Sequence, residues 1–488
     1  MTRPVGFIDV TLRDAHQSLW STRMTTAMML PFARRMDEAG YEAIDLVGGA
    51  VFDVCVRYLR EDPWERIRLV RQAVARTPLN MWTRGQSLFT FELFPDDVVE
   101  LCVRRAAANG IRWLTVMDAL NDTRNVAVSA RAARAAGLHV TGVVTYSLSP
   151  VHTDGYFAGK ARELVGLGVD AIVLKDQSGL LTPDRVRTLV PAVRAAIGSL
   201  PLQLHSHCLT GLAPLCYLEA VEGGVDTLHA AISPLANGAS LPPSELLARS
   251  LRRKGYRVAL DDAVLDEQAA YFAWVADREG KPRGRIAEYD PFHYEHQVPG
   301  GMISNLKTQL RDLGIEHRLQ EILEEAARVR RELGYPVIVS PFAQFVITQA
   351  VLNVVQGERY RTVPDEVRKY ALGHYGTLAA PIDPEVADPV TAGKAPETAR
   401  PGELLAPALP RVRRERGPFP SDDDLLLAAF YGPEQLTPLL AARPIRTDYP
   451  AGRNPLEALL KELGARPDLS YVHIARPGFD LTARFQPR

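Results

Sequence analysis

The sequence predicts an α/β protein, a (β/α)8 barrel of the TIM type followed by a helical C-terminal domain. Two observations carry this expectation. A helix-like stretch that ends in Gly and gives way at once to an apolar run recurs at Gly40-YEAIDLV, Gly110-IRWLTVMDA, Gly137-LHVTGVVTY, Gly168-VDAIVLKD and Gly224-VDTLHAAIS. Three further runs, at 5–12, 79–85 and 202–208, bring the strand candidates before residue 240 to eight. Gly suits the position just past a helix because it accepts the left-handed conformation. Short apolar runs bounded in this way fit parallel strands buried on both faces. Strands alternating with helices argue for a parallel sheet, and eight units argue for its closure. An open doubly wound sheet would carry a phosphate-binding G-x-G-x-x-G after its first strand, whereas here that strand runs into TLRDAHQ.

Taken in order, the strands place polar residues at their C-terminal ends, where barrel chemistry sits. The first delivers Arg13, Asp14 and Gln17, the third Arg84 and the fourth Asp118. The sixth ends in Lys175, the seventh in His205 and His207. Residues 1–260 are assigned to the barrel. From 261 to 380 the pattern turns helical, as in SNLKTQLRDLGIEHRLQEILEEAARVRRELG, and is expected to close the barrel mouth. Residues 381–420 are Pro-rich, end in RVRRERGPFP and read as a linker with a solvated basic loop. A small tail, 421–488, follows. Met28 and Met29 read as helix core, and His293 and His296 as surface residues.

Composition narrows the function. The chain has 488 residues, 46% apolar and 24% charged, with a net charge of −1. This is the balance of a globular protein, not a disordered one, and it leaves no global field to hold nucleic acid. No apolar run reaches the ~18 residues of a membrane span. Cys55, Cys102, Cys208 and Cys216 are too few and too irregularly spaced for a disulfide framework or zinc ribbon. The N-terminal segment, with Asp9, lacks the apolar core of a signal peptide. The expectation is a reduced, cytoplasmic, soluble protein.

Several residues can carry chemistry. His205 and His207 are two apart on a strand, so both imidazoles face one side and can ligate one metal, to which Asp14 can add an oxygen. The bland alternative is a pair of hydrogen-bonded core histidines. Lys175 follows AIVL, so its ammonium is costly to bury. Three outcomes relieve that cost: an ion pair with Asp176 or another acid, a neutral amine forming a Schiff base, or carbamylation by CO2. Arg84 offers a planar fork suited to a substrate carboxylate, or a salt bridge at the rim.

The motifs TLRDAHQSLWSTRM, GGAVFDVCVRYLREDPWERIR, RGQS, VMDALNDTRN, YSLSPVHT, LKDQSGLLTP, LHSHCLTG and QVPGGMISNLKTQLRDLG occur in this order. Together they resemble the biotin-dependent carboxyltransferases acting on pyruvate and oxaloacetate, over about residues 5–375. That family includes the carboxyltransferase domain of pyruvate carboxylase, the oxaloacetate decarboxylase α subunit and the keto-acid subunit of transcarboxylase. The resemblance implies a homodimer and a divalent metal (zinc, cobalt or manganese) held by Asp14, His205, His207 and carbamylated Lys175. It implies that Arg84 and Gln17 hold the keto acid beside Arg13, and that Ser340 shuttles a proton. It places Asp53, Phe91 and Ala343 at the biotin pocket. Here the family's T-P-S-S reads Ser340-Pro341-Phe342-Ala343, and its tyrosine seven residues after the arginine is Phe91. Fewer polar contacts to biotin are therefore expected.

None of the chain's lysines is flanked by methionine as in a biotinylation motif, and no ATP-grasp loop is present. Biotin is thus expected on a separate carrier protein, loaded by a biotin carboxylase subunit. The competing reading keeps the metal and drops biotin: a decarboxylase or lyase of a keto acid. A Schiff-base aldolase acting through Lys175 is a third reading, and a non-catalytic component of a carboxylase assembly is a fourth.

Overall fold

The computed structural model describes residues 3–449, 455–466, 468–476 and 479–485. All eight expected strands form: β1 (Pro4–Asp9), β2 (Ala43–Gly48), β3 (Leu79–Arg84), β4 (Trp113–Met117), β5 (His139–Thr145), β6 (Ala171–Asp176), β7 (Leu202–Ser206) and β8 (Thr227–Ala230). Every neighbouring pair is parallel, and β1 closes the barrel by pairing Asp9 with Ala230 on one side and Ile44 on the other. β2, β6, β7 and β8 are buried at every residue, which explains why they read as continuous apolar runs. The Gly that ends each preceding helix has positive φ at 40, 110, 137, 168 and 224. At Gly110 (φ 117) a Cβ would also meet the Arg71 side chain at 2.7 Å, so the turn into β4 requires glycine.

Period-two alternation divides each strand between two surroundings. Trp82, Met117, Val143 and Val173 fill the barrel interior, while residues such as Leu174 and Leu204 join the core under the outer helices. The interior also holds a polar layer. Asp45 accepts hydrogen bonds from Asn80 Nδ2 (2.7 Å) and Trp82 Nε1 (2.6 Å). Burial raises the Asp45 carboxyl to about 6, against the pull of Arg13 and these two donors.

A helical layer covers the barrel mouth. Leu306, Leu310, Ile322, Val329, Phe342, Val346 and Tyr370 form its core, which takes in Ala119 and Leu120 from the loop after β4. Val339 packs on the interior cluster of Trp82, Met117, Val143 and Val173. The helical layer therefore reaches into the mouth and forms one wall of whatever lies there.

Three expectations are corrected. Helix Asp262–Arg278 buries Val264, Leu265, Phe272 and Val275 in the barrel's own core, so the expected boundary at 260/261 cuts through barrel packing. The expected linker 381–420 contains helices Pro384–Thr391 and Leu409–Arg416. Arg400 pairs there with Asp96 at 2.6 and 2.9 Å, and Asp97 accepts from the Ala408 and Leu409 amides. Its prolines misled because several open helices, where proline is favoured. His293 and His296 are buried, the former 2.6 Å from the Ser178 carbonyl and the latter accepting from the Val298 amide. The start of the tail packs on the barrel through Leu425, Leu426 and Phe430, and a hairpin of Tyr471–Arg476 and Phe479–Arg484 follows.

Candidate active site

β1 runs into a single π-helical turn, Thr11–Ala15, buried along its length. Such turns recur at functional sites because the extra residue re-aims side chains. Here the turn presents Arg13 and Asp14 to a cavity of about 590 Å³ at the C-terminal face of the barrel. Gln17, Asp53, Arg84 and Phe91 line the same space, with Lys175, His207 and Ser340 opposite. His205 lies just beneath, fully buried. Gly49 (φ 54) brings the backbone against Gln17 and Arg13, where a Cβ would stand 3.1 and 3.2 Å from their side-chain atoms.

Asp14, His205 and His207 converge. His205 Nε2 is 3.3 Å from His207 Nε2 and 3.4 Å from Asp14 Oδ2, and His207 Nε2 is 3.5 Å from Asp14 Oδ1. A tetrahedral ion with bonds of ~2.0–2.1 Å holds its donors about 3.3–3.4 Å apart, so this set fits a divalent metal. Among the described residues it is the one such His/Cys/Asp/Glu cluster. Burial alone would raise Asp14, but Arg13 and the two imidazoles outweigh it and hold the carboxyl well below its usual range. Burial keeps His205 neutral, as a ligand must be. Nδ1 of His207 lies 2.6 Å from the Ala239 carbonyl, an acceptor that fixes the proton there and leaves Nε2 as a lone pair.

Lys175 pairs laterally with His205 across β6 and β7. Its Nζ stands over the Trp82 ring, 4.7 Å from the centroid, and 3.8 Å from Met117 Sδ. Among the described residues no carboxylate comes within 4.0 Å of it as an ion pair. Asp176 points the other way, accepting from the Leu180 and Leu181 amides and from Ser206 Oγ. The ion pair with Asp176, one of the three outcomes open from sequence, is therefore excluded. Burial, with Arg13 adding to it, pushes the Lys175 amine down to about 7.

Arg84 is just as bare. Its Nη2 donates to the carbonyls of Phe89 (3.0 Å) and Thr90 (2.8 Å), its Nη1 to that of Ser340 (3.3 Å), and its buried Nε has no partner. Among the described residues no carboxylate forms the rim salt bridge considered from sequence. Burial and the neighbouring Arg13 push its pKa down to about 10. The Phe91 ring lies 5.3 Å from the guanidinium carbon and is 58% exposed at the mouth. The loop behind it is backed by a Phe52–Phe89 stack at 4.1 Å, with Phe430 of the tail against Phe94 at 5.0 Å.

One expected residue lies elsewhere. Ala343 is fully buried in the core of the helical layer, and Phe342 packs there against Tyr370 and Tyr375. Neither lines the main cavity. Three residues beyond those expected belong to the site's frame: Trp82, Gln203 and His229. Trp82 forms its floor, with Arg13 over the ring at 4.8 Å. Each lies on a barrel strand at an inward position, two residues from Arg84 or His205 or beside the latter. The alternation already visible in LNMWTRG and LQLHSHC was the signal for the first two.

Comparison with known proteins now decides the family. The chain is 42% identical over 465 residues to the B subunit of pyruvate carboxylase from Methanocaldococcus jannaschii, covering 94% of this chain and 80% of that protein. The chain belongs to the biotin-dependent carboxyltransferase family. It is also 37% identical to the methylmalonyl-CoA carboxyltransferase 5S subunit of Propionibacterium freudenreichii subsp. shermanii, over 89% of this chain and 86% of that one. The Conserved carboxylase domain family matches residues 294–443. Among solved structures, the carboxyl transferase domain of Rhizobium etli pyruvate carboxylase with pyruvate and biocytin superposes with a TM-score of 0.84. It is 30% identical, and the match covers 90% of this chain and 78% of that one.

Proposed function

We propose that this protein is a carboxyltransferase component that moves CO2 between carboxybiotin and pyruvate, or in reverse from oxaloacetate. The observation that carries the reading is the pairing, at one cavity, of a half-buried guanidinium that no carboxylate among the described residues engages with a three-donor candidate metal cluster. Arg84 offers its fork to the keto-acid carboxylate, and Gln17 offers an amide beside it. Asp14, His205, His207 and Lys175 would hold the ion, Lys175 as a carbamate, since a neutral buried amine is the form that reacts with CO2. A bound divalent ion supplies Lewis-acid stabilisation of enolate charge, and carboxybiotin supplies or accepts the CO2. Ser340 Oγ accepts from Gln344 Nε2 at 3.2 Å, which leaves its own hydrogen to serve the cavity as a proton donor. Trp82 and Val339 keep the floor and one wall apolar, so charge on Arg84 and Asp14 acts in a poorly screened space.

Biotin arrives on a separate carrier protein, with a biotin carboxylase as a further partner. The two relatives are named as subunits, and so as parts of larger assemblies. We place the enzyme in the cytoplasm as a homodimer; among the described residues no helix is long and apolar enough to cross a membrane. The biotin-independent decarboxylase remains the competing reading, favoured by the missing hydroxyl at Phe91. Elemental analysis should find about one divalent ion per chain, lost together with oxaloacetate turnover in His207→Ala. Full turnover by metal-free protein would refute the site as drawn, and borohydride trapping of substrate on Lys175 would favour the Schiff-base chemistry.

A further inference from the structure

Gln203, His205 and His229 lie side by side on β7 and β8, each buried within the barrel. His229 Nε2 is 3.0 Å from Gln203 Oε1, and His229 Nδ1 is 3.2 Å from His205 Nδ1. The other nitrogen of His205, Nε2, is the one that meets Asp14 and His207. A neutral imidazole has one N–H and one lone pair, so a chain of two such rings and one amide has two self-consistent arrangements. With the Gln203 oxygen toward His229, the His229 Nε2–H donates to it and the His229 Nδ1 lone pair accepts the His205 Nδ1–H. His205 Nε2 is then a bare lone pair facing Asp14 and His207. With the amide turned over, each proton sits on the opposite nitrogen. His205 Nε2 then carries hydrogen, donates to Asp14 and cannot ligate.

We propose that His229 is a positioning residue: braced by Gln203, it accepts the Nδ1 proton of His205 and so presents His205 Nε2 as a metal ligand. The inference rests on the metal reading of the site. It also accounts for a difference between the two histidines. His207 leans on a carbonyl, which can only accept, so its tautomer is fixed. His205 leans on a second imidazole, which both donates and accepts, so its tautomer is set one residue further back, at Gln203. Ligating histidines in general have their far nitrogen anchored, and loss of the anchor weakens metal binding by ~10–100-fold.

Packing alone is the alternative, because the His229 ring also lies against His205 and Trp82. His229→Phe keeps a ring there and removes the acceptor. His229→Asp places a carboxylate oxygen one bond beyond Cγ, where Nδ1 now lies, and restores it. Gln203→Glu only accepts, which removes the non-ligating arrangement. Cobalt(II) affinity of the full-length chain, measured by equilibrium dialysis in bicarbonate buffer with the d–d spectrum as second readout, separates these cases. Expected is a loss of ~10–100-fold in His229→Phe, recovery of most of it in His229→Asp, and affinity equal to or above wild type in Gln203→Glu. Unchanged affinity in His229→Phe, or a loss that Asp does not recover, overturns the relay while leaving the metal site standing. Weaker binding by Gln203→Glu overturns it too, and that variant decides alone if the ring variant does not fold. A wild-type chain that takes up no cobalt overturns the metal reading and this inference with it.

Discussion

Replacing Arg84 tests the substrate side of the account, and its expected size follows from the surroundings of the side chain. The side chain is half-buried with its Nε enclosed, its guanidinium binds three backbone carbonyls, and among the described residues no carboxylate pairs with it, so an anion entering the cavity would be its ion-pair partner. A hydrogen-bonded charge pair closed off by a bound substrate is worth ~3 kcal/mol on truncation, which is about 150-fold in kcat/KM. Arg84→Ala should therefore raise KM for oxaloacetate and, by misplacing the carboxylate, lower kcat. Arg84→Lys should be nearly as poor. A single ammonium cannot hold the Phe89 and Thr90 carbonyls and also grip a carboxylate at two points. Steady-state oxaloacetate decarboxylation gives the rates, and thermal melting of the same samples shows whether the fold is intact. Near-normal kcat/KM in either variant, with an unchanged melt, would mean that Arg84 only ties down its own loop.

Two other predictions follow from the geometry. The Lys175 amine titrates at about 7 when folded, below its ordinary 10.5, so between those values the unfolded chain binds the extra proton. Metal-free stability should thus rise with pH from about 7 to about 10 and be level below it. Lys175→Met should abolish that slope and stabilise the metal-free protein at neutral pH by on the order of 4 kcal/mol, measured by urea melts across the range; an unchanged slope would contradict the assignment. At the mouth, free biotin should stimulate oxaloacetate decarboxylation only weakly, and Phe91→Tyr should increase the effect. Adding Ala343→Ser should give nothing further, because that hydroxyl would be buried in the helical layer at a cost of ~1–3 kcal/mol. Strong stimulation of the wild type, or a gain that requires Ala343→Ser, would refute this.

The barrel was legible because five of its eight units repeat one device, a helix stopped by Gly that gives way at once to a short apolar strand, and local chemistry fixes both. The convergence of Asp14, His205 and His207 was legible for a related reason. His205 and His207 share a face by strand alternation, and the polar turn after β1 has to meet them once the barrel closes. His229 was not legible as a partner of His205, since only the β7–β8 register brings the two rings together. Sequence could not show that Arg84 and Lys175 lack acidic partners, which depends on where Asp53 and Asp176 point; Asp53 is engaged by Arg57 at 2.7 Å. The segment 381–420 was misread because proline marks both linkers and helix starts, and its contacts to Asp96 and Asp97 span some three hundred residues. Ala343 shows the limit of carrying motif positions across. Its motif opens a helix whose first turn faces the helical layer, away from the cavity.

The central claim is that the carboxyl group passes between the keto acid and biotin. It is tested most directly by following the C4 carboxyl of ¹³C-labelled oxaloacetate in the presence of the metal-loaded protein and a biotinylated carrier. The account predicts label on the carrier's biotin, with pyruvate formed in step, and loss of both in Arg84→Ala. Label released only as CO2, at the same rate with and without the carrier, would contradict it and establish the protein as a biotin-independent decarboxylase.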